Sequence, residues 1–541
     1  MATQFKTPGV YINEPNSFPP SIVGVDTAVP AFIGYTQTAL KNGGDVGMVP
    51  IRITSMADYA QTFGGPFPEI YYLTQGDIPP SDHDLGRVTL DGTNYYHLVE
   101  EGTARFYLYD CMRHFYANGG GECYVVSCGL YQTPASGSTP ATTNALDPTA
   151  IINGLRAVEK LVGPTMLLVP DATLMSETQY GNVVDEMLLQ CERQGDRVAL
   201  LDIWGGDADS WDQGGSTDPV ESFRQLVASQ PDTLKYAMAY FPFLNTSVVQ
   251  PTEVTIRNFD PAQQQTLVTA LTAAVNMNYP PTNGTPNPRA TSVINAFIDQ
   301  IGHSVPTAPP TGSPPQTPAP ITDQQLMNGL TANIPAFSQI LTQIANARNI
   351  LPPSPAMAGV FTTMDAVRGV WNAPANIGIT QLVNPVVDIS FEEQKDLNKP
   401  TSGLSVNAIR TFPARGTLVW GARTLAGNSN DWRYIQVRRT MVYVEQSIKT
   451  ALSSFVFGPN TPSTWVTVVS MIESFLHGLW ASGGLMGATA DQAFKVNAGL
   501  GSTMTADDVL NGIMRVQVVL TMVHPAEFIE LTFEQQMQSG S

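Results

Sequence analysis

Cysteine is scarce. Four residues in 541, at positions 111, 123, 128 and 191, cannot form a disulfide framework in so long a chain, and the Cys123–Cys128 spacing is not a common zinc pattern. They are read as buried thiols. Histidine is nearly as rare, with six residues at 83, 97, 114, 303, 477 and 524. None stands in an H-E-x-x-H pair, no G-x-S-x-G elbow occurs, and no glycine-rich turn opens a helix with a phosphate-binding lysine. The usual metal, serine-nucleophile and nucleotide chemistries therefore lack their motifs, and no catalytic residue, metal site or cofactor is expected. No run approaches the ~18 apolar residues of a membrane helix, so no direct membrane insertion is expected. The first residues, with Lys6, Pro8 and Asn13, lack a signal-peptide core, and synthesis and assembly in the cytoplasm are expected. Bases are the minority, 27 Lys+Arg against 46 Asp+Glu for a net charge of −19, which argues against a nucleic-acid partner.

What is present is strongest in the last third, Val386 to Phe533. In Arg515 to Thr521, Val516, Val518, Leu520 and Met522 share one face while Arg515, Gln517 and Thr521 share the other, with Val519 the exception. That predicts a half-buried strand. After His524-Pro525, Ile529, Leu531 and Phe533 alternate with Glu530, Thr532 and Glu534, a second strand. Near the start, Val10-Tyr11-Ile12-Asn13 is a short extended run fenced by Pro8-Gly9 and Pro15. Such a run cannot nucleate its own sheet. Both ends therefore read as strands that seek an open sheet edge on this chain or another.

Between them, Asp431 can cap a helix carrying Met441, Val444, Ile448, Leu452 and Phe455, and Ser463 can start one carrying Trp465, Val468, Ile472, Leu476 and Leu479. Val386 to Phe391, Val406 to Phe412 and Thr417 to Arg423 read as further strands. The sum predicts a small α+β domain.

Several stretches here resemble one family. F-P-A-R-G-T-L-V-W-G-A-R-T-L from Phe412, D-W-R-Y-I-Q-V-R-R from Asp431 and H-P-A-E-F-I from His524 are similar to the C-terminal domain of contractile tail sheath proteins. These occur in phage tails, R-type bacteriocins and extracellular contractile injection systems. T-P-G-V-Y-I-N-E at Thr7, N-G-G-G-E-C-Y-V-V at Asn118 and R-G-V-W-N-A-P-A-N at Arg368 resemble earlier parts of the same family, in order.

The front of the chain carries the charge. Residues 385–541 hold 11 bases and 13 acids, net −2, so residues 1–384 hold 16 bases and 33 acids, net −17. An exposed, solubilising layer is expected there. Ala28 to Tyr35 and Val49 to Thr54 read as strands, followed by a helix that stops at Gly64-Gly65. The stretch from Phe67 to about Glu101 gives no clear pattern. A helix from Thr103 ends at Gly119-Gly120-Gly121, a C-terminal stop where a phosphate loop would open a helix. From Ala150, helices alternate with the apolar strands Thr165 to Val169, Arg197 to Ile203 and Lys235 to Tyr240, which predicts a mostly parallel sheet covered on both faces. Asp171 follows the first of these, where α/β enzymes keep catalytic groups. A turn or cap role is the simpler reading.

Asn245 to Leu351 offers helices near Pro261 to Val275, Ser292 to Ile301 and Asp323 to Ala347. Seven of the fifteen residues from Pro306 to Pro320 are proline, a stiff extended tract. The expected organisation is an arm at 1–20, an outer α/β domain at 21–244, a surface insertion at 245–351, a C-terminal core at 352–525 and a strand arm at 526–541.

The resemblance implies a structural subunit and not an enzyme: a helical homopolymer, with sheath paralogues among its subunits, around an inner tube protein, joined to baseplate and terminal cap proteins. Val10, Tyr11, Ile12 and Asn13, and Phe528, Ile529, Leu531 and Phe533, would pair with neighbouring subunits. By position, Asp491, Gln492, Phe494 and Lys495 match the family's tube-facing helix, with Phe494 as anchor; Arg438, Arg439 and Lys449 are a second candidate surface. The product would be part of a virion tail or of a released or membrane-docked tail-like particle. A static polymer fits the terminal strands too, and a hydrolase on the α/β domain would need a site that the sequence does not provide.

Overall fold

The computed structural model describes residues 21–76, 83–102, 104–133, 142–260, 262–300 and 322–531. They form two compact units. The larger comprises Ala28–Met364 and Pro374–Ile435; the smaller comprises Asp365–Ala373 and the described residues before Ala28 and after Ile435.

In chain order the larger unit opens with β1 (Pro30–Thr36), β2 (Ile51–Ile53) and helix α1 (Met56–Phe63). Ser55 caps α1 by accepting from Asp58 N. Three strands follow, β3 (Tyr71–Thr74), β4 (Asp84–Val88) and β5 (Tyr96–Glu100). Then come α2 (Leu108–Ala117), β6 (Cys123–Leu130), α3 (Pro148–Glu159), β7 (Met166–Leu168), α4 (Glu177–Gln194), β8 (Val198–Asp202), α5 (Pro219–Val227) and β9 (Ala237–Phe241). As the glycine triplet predicts, α2 stops there, with Gly119 at φ 87°.

Six of these strands, β1, β2 and β6 to β9, join two strands from later in the chain in one eight-stranded sheet whose centre is parallel and buried on both faces, which is why β1, β7, β8 and β9 read as continuous apolar runs. From β1 the chain adds β6 on one side and then β7, β8 and β9 on the other, so the strand order reverses between β1 and β7. All four cysteines are buried thiols.

Beyond β9 the chain makes β10 (Leu244–Thr246), α6 (Gln264–Asn278), α7 (Pro288–Gln300), α8 (Asp323–Asn333), α9 (Phe337–Arg348) and β11 (Ile350–Leu351). The single helix expected over 323–347 is two, because Pro335 disfavours helical backbone at Ile334. Helices α6–α9 do not form an insertion by themselves. They share a second hydrophobic core with β3, β4 and β5, built on Tyr71, Leu98, Leu271, Leu330, Phe337 and Ile344. The lobe thus takes in β3, β4 and β5, three strands hidden in a turn-rich sequence that only a distant helical layer completes. Buried Arg348 ties it down through Glu69 Oε2 at 2.8 Å and Asp110 Oδ2 at 3.2 Å, and Arg113 through Glu253 at 2.7 Å. The proline tract lies outside the described residues.

The unit closes with α10 (Ser354–Arg368), β12 (Leu382–Pro385), α11 (Phe391–Asn398), β13 (Asn407–Phe412) and β14 (Gly416–Val419). Here the expected boundary at 352 is corrected. β13 pairs parallel with β9 through Tyr240↔Asn407 and Phe241↔Ala408, and β14 pairs antiparallel with β13 at the sheet edge. The Asn407 side chain fixes the join, donating to Ala239 O at 3.0 Å and accepting from Arg423 N at 2.8 Å. The strand expected over Val386 to Phe391 is corrected too. Ser390 and Glu393 form a capping box that starts α11 instead.

The smaller unit contains α12 (Ile435–Leu452), α13 (Pro462–Ala481), α14 (Ala490–Ala493), β15 (Phe494–Asn497), α15 (Ala506–Leu510) and β16 (Gln517–Leu520), with Ile435 itself counted in the larger unit. Val444, Val468, Ile472, Leu476 and Val496 centre its core. It is the α+β domain expected, shorn of the strands that β13 and β14 supply elsewhere.

Candidate strand-docking site

The order reversal between β1 and β7 is where an α/β fold would keep a ligand, and it is filled. Asp171, fully buried, accepts from Tyr35 N at 3.0 Å, Tyr107 N at 2.7 Å and Leu108 N at 3.2 Å. It closes the crevice by holding the start of α2. Burial pushes its carboxyl up to about 6, against the opposing pull of the three N–H donors. One strand over, Asp202 accepts from Ser354 N at 2.7 Å and Ser354 Oγ at 2.6 Å, capping buried α10, and burial pushes it up to about 7. Both carboxylates are structural caps. His114 is buried with Nε2 3.0 Å from Thr380 O, and burial holds it down to about 4, neutral at pH 7.

The smaller unit offers a different site. β15 and β16 pair antiparallel, Phe494↔Leu520 to Asn497↔Gln517, and among the described residues they form a sheet of only two strands. Two strands alone are marginal in water. As the alternation predicts, Val516, Val518, Leu520 and Met522 pack on the helical core while Val519 is exposed. Beside β16 runs a groove of about 650 Å³, walled by Met441, Val444, Ile448 and Leu452 of α12 and by Val518 and Leu520. Glu445, Lys449 and Ser453 stand at its rim.

The root of the N-terminal segment is tied to this unit. Val25 N donates to Ser447 Oγ at 3.1 Å and Arg439 donates to Thr27 O at 3.0 Å. Gly24 is needed for the approach: a Cβ there would stand 2.2 Å from Tyr443 Oη.

Of the residues expected to pair with neighbours, Val10, Tyr11, Ile12, Asn13 and Phe533 lie outside the described residues. Phe528, Ile529 and Leu531 are exposed, and among the described residues they lie in no strand. Asp491 and Gln492 lie on α14 and Phe494 and Lys495 on β15. Phe494 is half-buried against the core while Asp491, Gln492 and Lys495 are exposed, one short stretch with one anchor. The second candidate surface is corrected. Arg438 and Arg439 are buried, paired with Glu445 at 2.9 Å and Asp365 at 2.5 Å, and only Lys449 faces out. The Arg439 pair is not visible in the sequence because Asp365 lies 74 positions away. The groove was missed for the same reason: it needs α12 and β16 side by side.

Residues 428–536 match the family described as phage tail sheath C-terminal domain. Over the whole chain, the fold is similar to the sheath of an extracellular contractile injection system, the PVC sheath complex in its contracted state, with 25% identity, 99% of each chain covered and a TM-score of 0.56. The end of the chain thus matches a tail sheath domain, and the whole fold is similar to that of a contractile sheath subunit. The contracted helical sheath of the anti-feeding prophage is similar to the same degree, 25% identical, TM-score 0.56, covering 98% of this chain and all of that one. A chain of the anti-feeding prophage baseplate matches at 25% identity and a TM-score of 0.55 over 98% of this chain. No curated protein matches this chain by sequence.

Proposed function

We propose that this chain is the repeating subunit of a contractile sheath, linked by exchanged strands, which assembles helically around an inner tube and shortens to drive it through a target envelope. The observation that carries the reading is the two-stranded β15–β16 sheet with an apolar groove beside it. Val10–Asn13 and Phe528–Phe533 of different neighbours would extend this sheet, each burying alternate side chains such as Val10 and Ile12 or Ile529, Leu531 and Phe533. Each large apolar side chain so buried contributes about 1.5–3 kcal/mol before the ordering cost of the arm is subtracted.

Unlike surfaces meeting head to tail generate a helix, and main-chain pairing tolerates rotation between rigid bodies. Contraction would then be rigid-body movement with the arms as hinges, from a metastable extended helix to a wider one, with no nucleotide required. Asp491, Gln492 and Lys495, propped by Phe494, would grip the tube through exposed polar contacts that can release. Baseplate and cap proteins would close the ends, and the particle would assemble in the cytoplasm as part of a tail or a tail-like injection system. The lobe of β3–β5 and α6–α9 would decorate the outside, away from the tube. Deleting residues 1–20 tests the reading: a soluble, folded subunit that no longer forms sedimenting tubes supports it, and normal tubes refute strand exchange by that arm.

A further inference from the structure

The hairpin between β13 and β14 carries side chains that strand exchange does not use. Its turn passes through Ala414 and Gly416, with φ 61° and 73°, a left-handed backbone that is strained for alanine. The turn lifts Arg415 into solvent, its guanidinium carbon 5.3 Å from the centre of the Trp420 ring and 5.9 Å from that of Phe412. The two rings pack with centres 4.5 Å apart. On the other side Arg410 lies 4.8 Å from the Phe412 ring and donates to Gln394 Oε1 at 2.8 Å, while Gln394 donates to Trp420 O at 2.7 Å. Arg415 donates to Asn376 Oδ1.

Two guanidiniums therefore flank an aromatic pair, and both are bonded to amides. Among the described residues neither is in a salt bridge. Stacking uses the flat faces of a guanidinium and leaves its N–H edge for a planar acceptor, which a carboxylate fits best. A tip that only strapped the hairpin would not need Arg415 raised on a strained, exposed turn. Carboxylates in excess are what another copy brings, since residues 1–384 carry a net charge of −17.

We infer that Arg410, Phe412, Arg415 and Trp420 form a docking surface for carboxylates on the acidic outer part of a second copy of this chain, a contact separate from strand exchange. The inference rests on the polymer reading above. Its test is sedimentation of assembled tubes for Arg415→Glu beside the unaltered chain, with the melting temperature of the unassembled subunit measured for both. Charge reversal should lower the sedimented fraction at least about tenfold at low salt and leave the melting temperature unchanged, because a like-charge contact costs several kcal/mol. Tubes from Arg415→Glu at the normal yield would overturn the inference and leave the polymer reading standing, whereas an unaltered chain that never sediments would overturn both. If Arg415→Glu misfolds, Thr411→benzoylphenylalanine decides, since it keeps both arginines. Photo-crosslinks from the exposed position 411 to an acidic peptide of a second copy support the inference, and crosslinks confined to the same chain or to an inner tube protein refute it.

Discussion

Arg439 is 5% exposed and grips Asp365 with two nitrogens, Nη1 at 2.9 Å and Nη2 at 2.5 Å, while Nη2 also donates to Thr27 O. One guanidinium thus joins α12, the Asp365–Ala373 segment and the root of the N-terminal arm. Asp365→Ala would leave a buried cation unpaired, a loss of about 3–5 kcal/mol. Urea denaturation of the unassembled subunit reads it directly, and a change under 1 kcal/mol would contradict the pairing.

The groove beside β16 makes a separate prediction. Ile448 is only partly buried in the single chain and would be covered when a strand arrives. Ile448→Glu should leave the subunit folded, with a stability change within about 1 kcal/mol, and abolish sedimenting tubes. Tubes at the normal yield would mean that the groove stays empty in the polymer.

Much of this was legible in the sequence, and the failures have a common cause. The parallel strands announced themselves as apolar runs, the Gly119 stop by its glycines, and β16 by its alternation. What failed needed partners far along the chain. β13 looks like part of the C-terminal block because Tyr240 and Phe241, which it pairs with, stand more than 150 positions earlier. β3–β5 looked patternless because α6–α9 supply the other half of their core. Arg439 likewise looks like a solvated charge until Asp365, 74 positions away, folds against it.

Asp202 predicts a pH dependence. Burial raises its folded carboxyl to about 7, above the ordinary value near 3.9, so the folded state holds the proton more tightly. The stability it confers is fully present below about pH 4 and is lost as pH rises through about 7, with a slope of at most about 1.4 kcal/mol per pH unit. Asp202→Asn should flatten that fall in denaturation midpoints measured between pH 4 and 8. An unchanged slope would place the ionisation elsewhere.

The exposed stretch at α14 makes a prediction about the tube. Reversing both charges, Asp491→Lys with Lys495→Glu, should cut recovery of co-expressed inner tube protein at least about tenfold while the sheath still self-assembles. Undiminished tube recovery would remove these residues from the tube contact.

The most direct measurement of the central claim is electron microscopy of the purified protein, alone and co-expressed with an inner tube protein. The account predicts wide hollow helical tubes from the sheath alone and longer, narrower ones around the tube. Monomers or small closed oligomers under every condition would contradict it.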